Sequence, residues 1–235
     1  KITRGECIMI NIAIDGPAGA GKSTVARAVA KKLGILYLDT GAMYRAMALK
    51  AMREGIDPND KEQVLPLLEC TEIYAKNIGG TQHTYLDGED VSGLIRTPEI
   101  SRGASDISAI PDVRIKLAQI QRNIAHTSDV VMDGREIGSY VIPECENKFY
   151  VTASVDERAR RRLLELKEKG RDNGMTVEDM AKDIAERDYN DSHRAFAPLL
   201  RLPEAILIDT TDLTIDEAVN AVLKNLKNIG AEAHK

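Results

Sequence analysis

Gly16-Pro17-Ala18-Gly19-Ala20-Gly21-Lys22-Ser23 fits the pattern G-x-x-x-x-G-K-[ST], a phosphate-binding loop. The apolar run Ile8 to Ile14 before it reads as a strand. Val25, Ala28, Val29 and Leu33 after it share one helical stripe. Strand, glycine-rich turn and helix are the context that this motif requires. Glycines let successive backbone N–H groups point inward at anionic oxygens, and the helix N-terminus adds its positive end. In this pattern Lys22 reaches the β- and γ-phosphates as a point charge, and Ser23 offers a hydroxyl to Mg²⁺. The motif leaves the destination of the phosphate open, because kinases, hydrolases and switch proteins all carry it.

Outward from the loop, short β-like runs alternate with helical patterns. Strands are predicted at Ile10–Asp15, Ile35–Asp39, Val130–Asp133, Lys148–Ala153 and Ala205–Asp209. Several are near-continuous apolar segments ending in Asp, as buried parallel strands do. The chain is therefore expected to be α/β, with a central five-stranded parallel sheet flanked by helices on both faces. Ligands in such sheets bind beyond the C-terminal strand ends, where Asp15, Asp39, Asp133 and Asp209 fall. For Asp209 a turn or cap role is the better reading.

Two stretches depart from the alternation. Within 64–106, the pieces Ile73-Tyr74-Ala75, Gly79-Gly80 and Thr84 to Gly88 predict a small antiparallel β insert. Residues 154–172 are dense in charge, with Asp156, Glu157, Arg158, Arg160, Arg161 and Arg162. They read either as a solvated helix laced with ion pairs or as a short helical lid bearing arginines toward phosphates. The next helix opens on Thr176-Val177-Glu178-Asp179, a capping box with Asp at its last position. Its apolar stripe, Val177, Met180, Ala181 and Ile184, continues by helical steps into Arg187, Asp191 and Arg194. An inward stripe that turns charged either pairs internally or faces a ligand cavity.

Composition narrows the classes. The 235 residues are 43% hydrophobic and 29% charged, ordinary for a globular chain. A formal net charge of −5 argues against a generic nucleic-acid binder or a polybasic membrane anchor. No apolar run approaches a membrane span, and no secretory leader is visible. Cys7, Cys70 and Cys145 give neither zinc spacing nor a disulfide framework, so a cytoplasmic protein is expected. Residues 1–8 read as an extension outside the domain, with Met9 at the start of a single kinase-sized unit over 9–235.

Phosphoryl transfer from a nucleoside triphosphate to an acceptor that is itself a phosphate brings two polyanions together. That needs several arginines and Mg²⁺, and no general base, because the acceptor is already ionised. Arg45, Arg135, Arg187 and Arg194 fall at the predicted mouth. No Ser/His/Asp or Cys/His set suggests covalent catalysis.

These residues carry a family resemblance. Gly16–Thr24, Leu38-Asp39-Thr40-Gly41-Ala42-Met43-Tyr44-Arg45, Gly88-Glu89-Asp90-Val91, Asp133-Gly134-Arg135 and Arg187-Asp188…Asp191…Arg194…Ala197-Pro198-Leu199 together resemble the bacterial cytidylate kinases, in order, from about Met9 to about Lys227. The resemblance implies a P-loop nucleoside monophosphate kinase fold with a monophosphate-binding insert and a lid that close on the substrates. It implies ATP-dependent phosphorylation of CMP and dCMP with Mg²⁺, by a cytoplasmic monomer whose partners are small nucleotides, with no nucleic acid and no membrane.

Residue by residue, the resemblance implies that Gly16, Pro17, Ala18, Gly19, Ala20, Gly21, Lys22, Ser23 and Thr24 bind ATP. Thr40, Arg114, Glu136 and Arg194 would read cytosine, and Ser105, Arg187 and Asp191 would hold the ribose. Arg45 and Arg135 would take the acceptor phosphate, with Asp133 beside them. Arg158 and Arg162, with Arg161 close behind, would meet the ATP phosphates. Two positions depart from the family pattern: Glu136 stands where Asp is usual, and Ser139 where Thr is common. The nearest rival is another small P-loop kinase, acting on UMP, AMP or a small metabolite. A nucleotide-binding switch is farther off, since Asn147-Lys148-Phe149-Tyr150 lacks the Asp of a guanine-reading motif.

Overall fold

The computed structural model describes residues 9–168, 170–172 and 174–227. The extension expected over residues 1–8 therefore lies outside the described residues. Five parallel strands form the central sheet: β1 (Asn11–Asp15), β2 (Leu36–Asp39), β6 (Val130–Gly134), β7 (Asn147–Thr152) and β8 (Ile206–Asp209). Their order is β2-β6-β1-β7-β8, so the phosphate loop leaves the middle strand. Each predicted strand is found within one residue at either end. Register aligns Asp39 with Asp133, Asp15 with Gly134 and Thr152 with Asp209, which brings the strand-terminal acids to one edge.

The sheet is buried on both faces. Ile12 and Ile14 pack with Val25 and Val29 of α1 (Lys22–Leu33) and with Val219 and Val222 of α8 (Ile215–Lys224). Ala13, Leu38 and Met132 face the other way, onto Ala118 and Ala125 of α5 (Pro111–Thr127). That alternation is the period-2 geometry of a strand, and each fully buried Ile contributes about 1.5–3 kcal/mol. Among the described residues, no helix is long and apolar enough to cross a membrane.

A third cluster joins α2 (Thr40–Arg53) to α3 (Lys61–Glu69), α4 (Pro98–Ile107) and a three-stranded antiparallel sheet. That sheet is β3 (Ile73–Ile78), β4 (Thr81–Leu86) and β5 (Glu89–Asp90). The antiparallel strands occupy only 73–90 of the 64–106 segment, and the remainder is mainly helix. Gly79 and Gly80, with φ of 60° and 81°, form the two-residue hairpin turn whose positive φ values match strand twist. Across that hairpin Tyr74 and Tyr85 stack at 4.9 Å.

The charge-dense segment is a helix, α6 (Val155–Glu168), paired with α7 (Val177–His193). Thr176 and Asp179 form the expected capping box. Met180 and Ile184 are buried against Ala159 and Leu166, but Val177 lies on the exposed side.

Gly16 has φ of 148°, and a Cβ there would overlap the carbonyl oxygen of Val151 on β7. Gly16→Ala is expected to cost about 3 kcal/mol or more, measured by denaturant unfolding, since the obstacle is backbone and has no room to yield.

Candidate active site

Gly21, at φ 83°, caps α1 and turns the loop so that Lys22 and Ser23 open the helix. Lys22 is buried and donates to the Pro17 carbonyl at 2.7 Å. Burial first, and Arg135 second, lower its pKa to about 7. Ser23 Oγ donates to Asp133 Oδ2 at 2.8 Å. These are two hard oxygen donors at the head of the loop, a donor set that suits Mg²⁺ with phosphate and water completing its shell. Among the described residues no group of three or more His, Cys, Asp or Glu forms a metal site without a nucleotide. Burial and the neighbouring Asp39 push the Asp133 carboxyl up, a charge balance that a cation would reverse.

On the acceptor side, Asp39 ends β2 and caps α2 by accepting from the Ala42 N–H. It also holds Arg45 at 2.7 Å and Arg96 at 3.4 Å. Burial opposes the charge on Asp39, but those two guanidiniums and the Ala42 amide outweigh it and hold the carboxyl below its ordinary range. Thr40 Oγ1 donates to the Asp133 carbonyl at 2.8 Å, fixing the start of α2 against β6.

Beyond β6, Arg135 and Glu136 lead into a π-helical turn, Ile137–Val141. Glu136 is buried, with Oε1 bound by the Tyr44 hydroxyl at 3.0 Å and paired with Arg114, while Oε2 accepts from Arg194 at 3.2 Å. Arg114 lies 1% exposed over the Tyr44 ring and donates to the Ser108 carbonyl. Arg135 binds Asp191 at 2.8 Å, and Arg194 binds the same carboxylate at 3.2 Å. The charged end of the α7 stripe therefore pairs internally around Asp191 and Glu136. Arg187 is the exception: its Nε is buried without a hydrogen-bond partner. Burial and then Arg135, with Arg45 and Arg162 also near, lower its pKa to about 10.

The structure thus brings Lys22, Arg45, Arg135 and Arg162 each within electrostatic reach of Arg187. Arg158 has a different place. It is buried and braces α6 to the loop, donating to Ala153 and Ala18 carbonyls and pairing with Asp188 at 2.6 Å. Arg162 pairs with Glu165 on its own helix. Arg161 binds Thr210 and helps line a cavity of about 510 Å³ with Gly21, Thr24 and residues 210–215. Ser105 sits half-buried on α4, its carbonyl accepting from Ser108 Oγ. Asp209 makes a turn, accepting from Thr211 N and Oγ1.

Some partners escaped the sequence reading. Tyr44 and Asp39 sat within a quoted motif, and their roles emerged only from the partners that folding brings to them. Gln82 of the insert accepts from Asp39 N at 2.6 Å and donates to Asp39 O at 3.2 Å, extending the β2 edge with a side-chain amide. Nothing in a lone Gln signals this.

A phosphate loop on the central strand of a parallel sheet, facing a cationic cleft and a helical hairpin, defines a P-loop kinase of the nucleoside monophosphate kinase fold. The chain belongs to the cytidylate kinase family, whose model matches residues 12–228. It is 50% identical over 215 residues to a cytidylate kinase of Caldicellulosiruptor saccharolyticus, covering 92% of this chain and 94% of that one. A cytidylate kinase of Desulforamulus reducens is 50% identical over 222 residues, covering 94% and 97% of the two chains. Among solved structures, an uncharacterized protein from Eubacterium ventriosum shares the fold, with a TM-score of 0.50 at 15% identity over 92% of this chain and 97% of that one.

Proposed function

We propose that this protein transfers the γ-phosphoryl group of ATP to CMP and dCMP, yielding ADP with CDP or dCDP, as a cytoplasmic monomer. Family membership supports the reaction. The observation that carries the mechanism is Arg187, a half-buried residue whose Nε is buried and unpartnered, beside Lys22, Arg45, Arg135 and Arg162. Four of these five cations are held by Pro17, Asp39, Asp191 and Glu165 in the free protein, and drawing them together becomes favourable when two polyanions enter.

In this reading the loop from Gly16 to Thr24 cradles the triphosphate, and Lys22 spans its β- and γ-phosphates. The cavity lined by Arg161, Thr24 and residues 210–215 takes the donor base. Arg45 and Arg135 hold the CMP phosphate, whose oxygen attacks the γ-phosphorus as the bond to the β-phosphate oxygen breaks. Arg187 and Arg162 meet the charge that spreads over the transferring group. Ser23 and Asp133 would hold Mg²⁺, which when bound neutralises charge across the β- and γ-oxygens. Thr40, Arg114, Glu136 and Arg194 form the edge that reads cytosine, and Ser105, Asp191 and Arg187 hold the ribose. A carboxylate there accepts from the exocyclic amine, and unmet polar groups penalise other bases strongly. Closure of the insert and of the α6–α7 hairpin excludes water from the transfer.

The test is ADP formation with ATP, Mg²⁺ and, in parallel, CMP, dCMP, UMP, AMP, GMP, shikimate or no acceptor. Turnover confined to CMP and dCMP is expected. Rapid turnover on another acceptor keeps the transfer and overturns the cytosine reading. Hydrolysis indifferent to acceptor marks a nucleotide switch instead.

A further inference from the structure

Asp15 ends β1 directly before Gly16, the first residue of the phosphate loop. Its carboxylate spends both oxygens on amides beyond β6. Oδ1 accepts from the Ile137 N–H and Oδ2 from the Gly138 N–H, both at 2.8 Å. These amides open the π-helical turn, where no preceding carbonyl of the turn can satisfy them. Within that turn the hydrogen bonds are long-spaced, Val141 to Glu136 and Ile142 to Ile137. Such wide turns hold their shape poorly without an outside partner. Arg135 and Glu136, which bind Asp191, Tyr44, Arg114 and Arg194, lie immediately before these two amides. A Cβ added at Gly138 would lie 3.2 Å from the Lys148 stem, so a side chain at this position would crowd the turn.

We infer that Asp15 is a positioning residue that sets the Arg135–Glu136 arm relative to the phosphate loop, so that one carboxylate aligns the acceptor with the donor. The inference rests on the proposed kinase reading. Burial pushes the Asp15 carboxyl up to about 6, with Glu136 adding to the rise and the two amides and Lys22 opposing it. Lys148 and Tyr150 of β7 also face this point, with Arg135 nearby. A protonated Asp15 keeps one good acceptor for two amides. The arm therefore loosens as pH falls through about 6.

The sign for stability is the opposite. A carboxyl whose folded pKa is raised contributes stability below its unfolded pKa and loses it as pH rises through the folded value. Neutral Asn at this position therefore leaves melting at pH 7.5 near the wild-type temperature, whereas a purely structural role predicts a fall.

The test compares wild type and Asp15→Asn in steady-state kinetics from pH 5 to 8. At pH 7.5 the variant is expected to show a KM for CMP raised on the order of tenfold, from one unmet amide, with KM for ATP held within about twofold. The CMP phosphate itself titrates near about pH 6, so the readout is the ratio of the two proteins' kcat/KM at each pH. That ratio should shrink toward one below about pH 6, as wild type loses its own carboxylate. An unchanged KM for CMP, a ratio flat across pH, or joint loss of ATP and CMP affinity with a lowered Tm would each overturn the inference. If the variant does not fold, the wild-type amide ¹⁵N shifts of Ile137 and Gly138 decide. A shared titration midpoint near about pH 6 supports the role, and shifts indifferent to pH refute it. Failure of wild type to phosphorylate CMP would refute the kinase reading itself, which the same assay distinguishes.

Discussion

Lys22→Met is expected to lower kcat roughly 10³-fold while leaving the fold intact. Met conserves the volume of a buried side chain and removes only the ammonium. In the free protein that ammonium is held by the Pro17 carbonyl at 2.7 Å, and burial with Arg135 brings its pKa to about 7. Burial thus weakens the hold of Lys22 on its proton before a nucleotide arrives. A triphosphate restores the charge, so ATP binding takes up a proton. Calorimetry in buffers of different ionisation enthalpy measures that uptake directly, and Lys22→Met removes it. A variant within tenfold of wild-type kcat, or with undiminished proton uptake, would show that Lys22 does not meet the phosphates.

The largest stability effect belongs to Glu136. Its carboxylate is the counter-charge for Arg114 and Arg194, both buried, and it accepts the Tyr44 hydroxyl. Glu136→Ala leaves Arg114 without a carboxylate and Arg194 with Asp191 alone, and Arg114 Nε already lacks a partner. Breaking a buried pair from one side costs about 3–5 kcal/mol, which for a chain this size lowers Tm by roughly 10 °C or more. Glu136→Gln keeps the shape and should lose less. Both variants should raise KM for CMP more than KM for ATP. Denaturant melts with paired kinetics check this, and an unchanged Tm for Glu136→Ala would mean that the cluster is solvated and free to relax.

Much of the frame was written locally. Ile12, Ile14, Val130 and Val131 are apolar in the strand pattern, and the loop glycines announce the turn that follows. The Thr176–Asp179 box marks a helix start without any tertiary knowledge. What sequence spacing carried poorly was partnership. The helical stripe brought Arg187, Asp191 and Arg194 to one side of α7. Whether they met each other or a ligand depended on Arg135 and Glu136, more than fifty positions away. The same holds for Arg158, which reads as a lid arginine meeting the ATP phosphates and which, in the free protein, also has Asp188 and the Ala18 carbonyl as partners. Glu136 looked like a base reader. In the fold its two oxygens already serve Tyr44, Arg114 and Arg194, so reading cytosine means sharing or exchanging those partners.

Among the described residues, the α6–α7 hairpin holds a core of its own, four buried apolar residues with two partly buried neighbours, against fifteen buried residues in the cluster that joins the phosphate-loop helix to the sheet. Stability in this molecule is therefore graded, not uniform. The hairpin can come apart as a local cooperative unit at a fraction of the free energy that would melt the sheet, and return without refolding the rest. Arg158 is one rivet between the two regimes, beside the Arg135–Asp191 and Arg161–Thr210 contacts, and it ties the weaker unit to the phosphate loop itself.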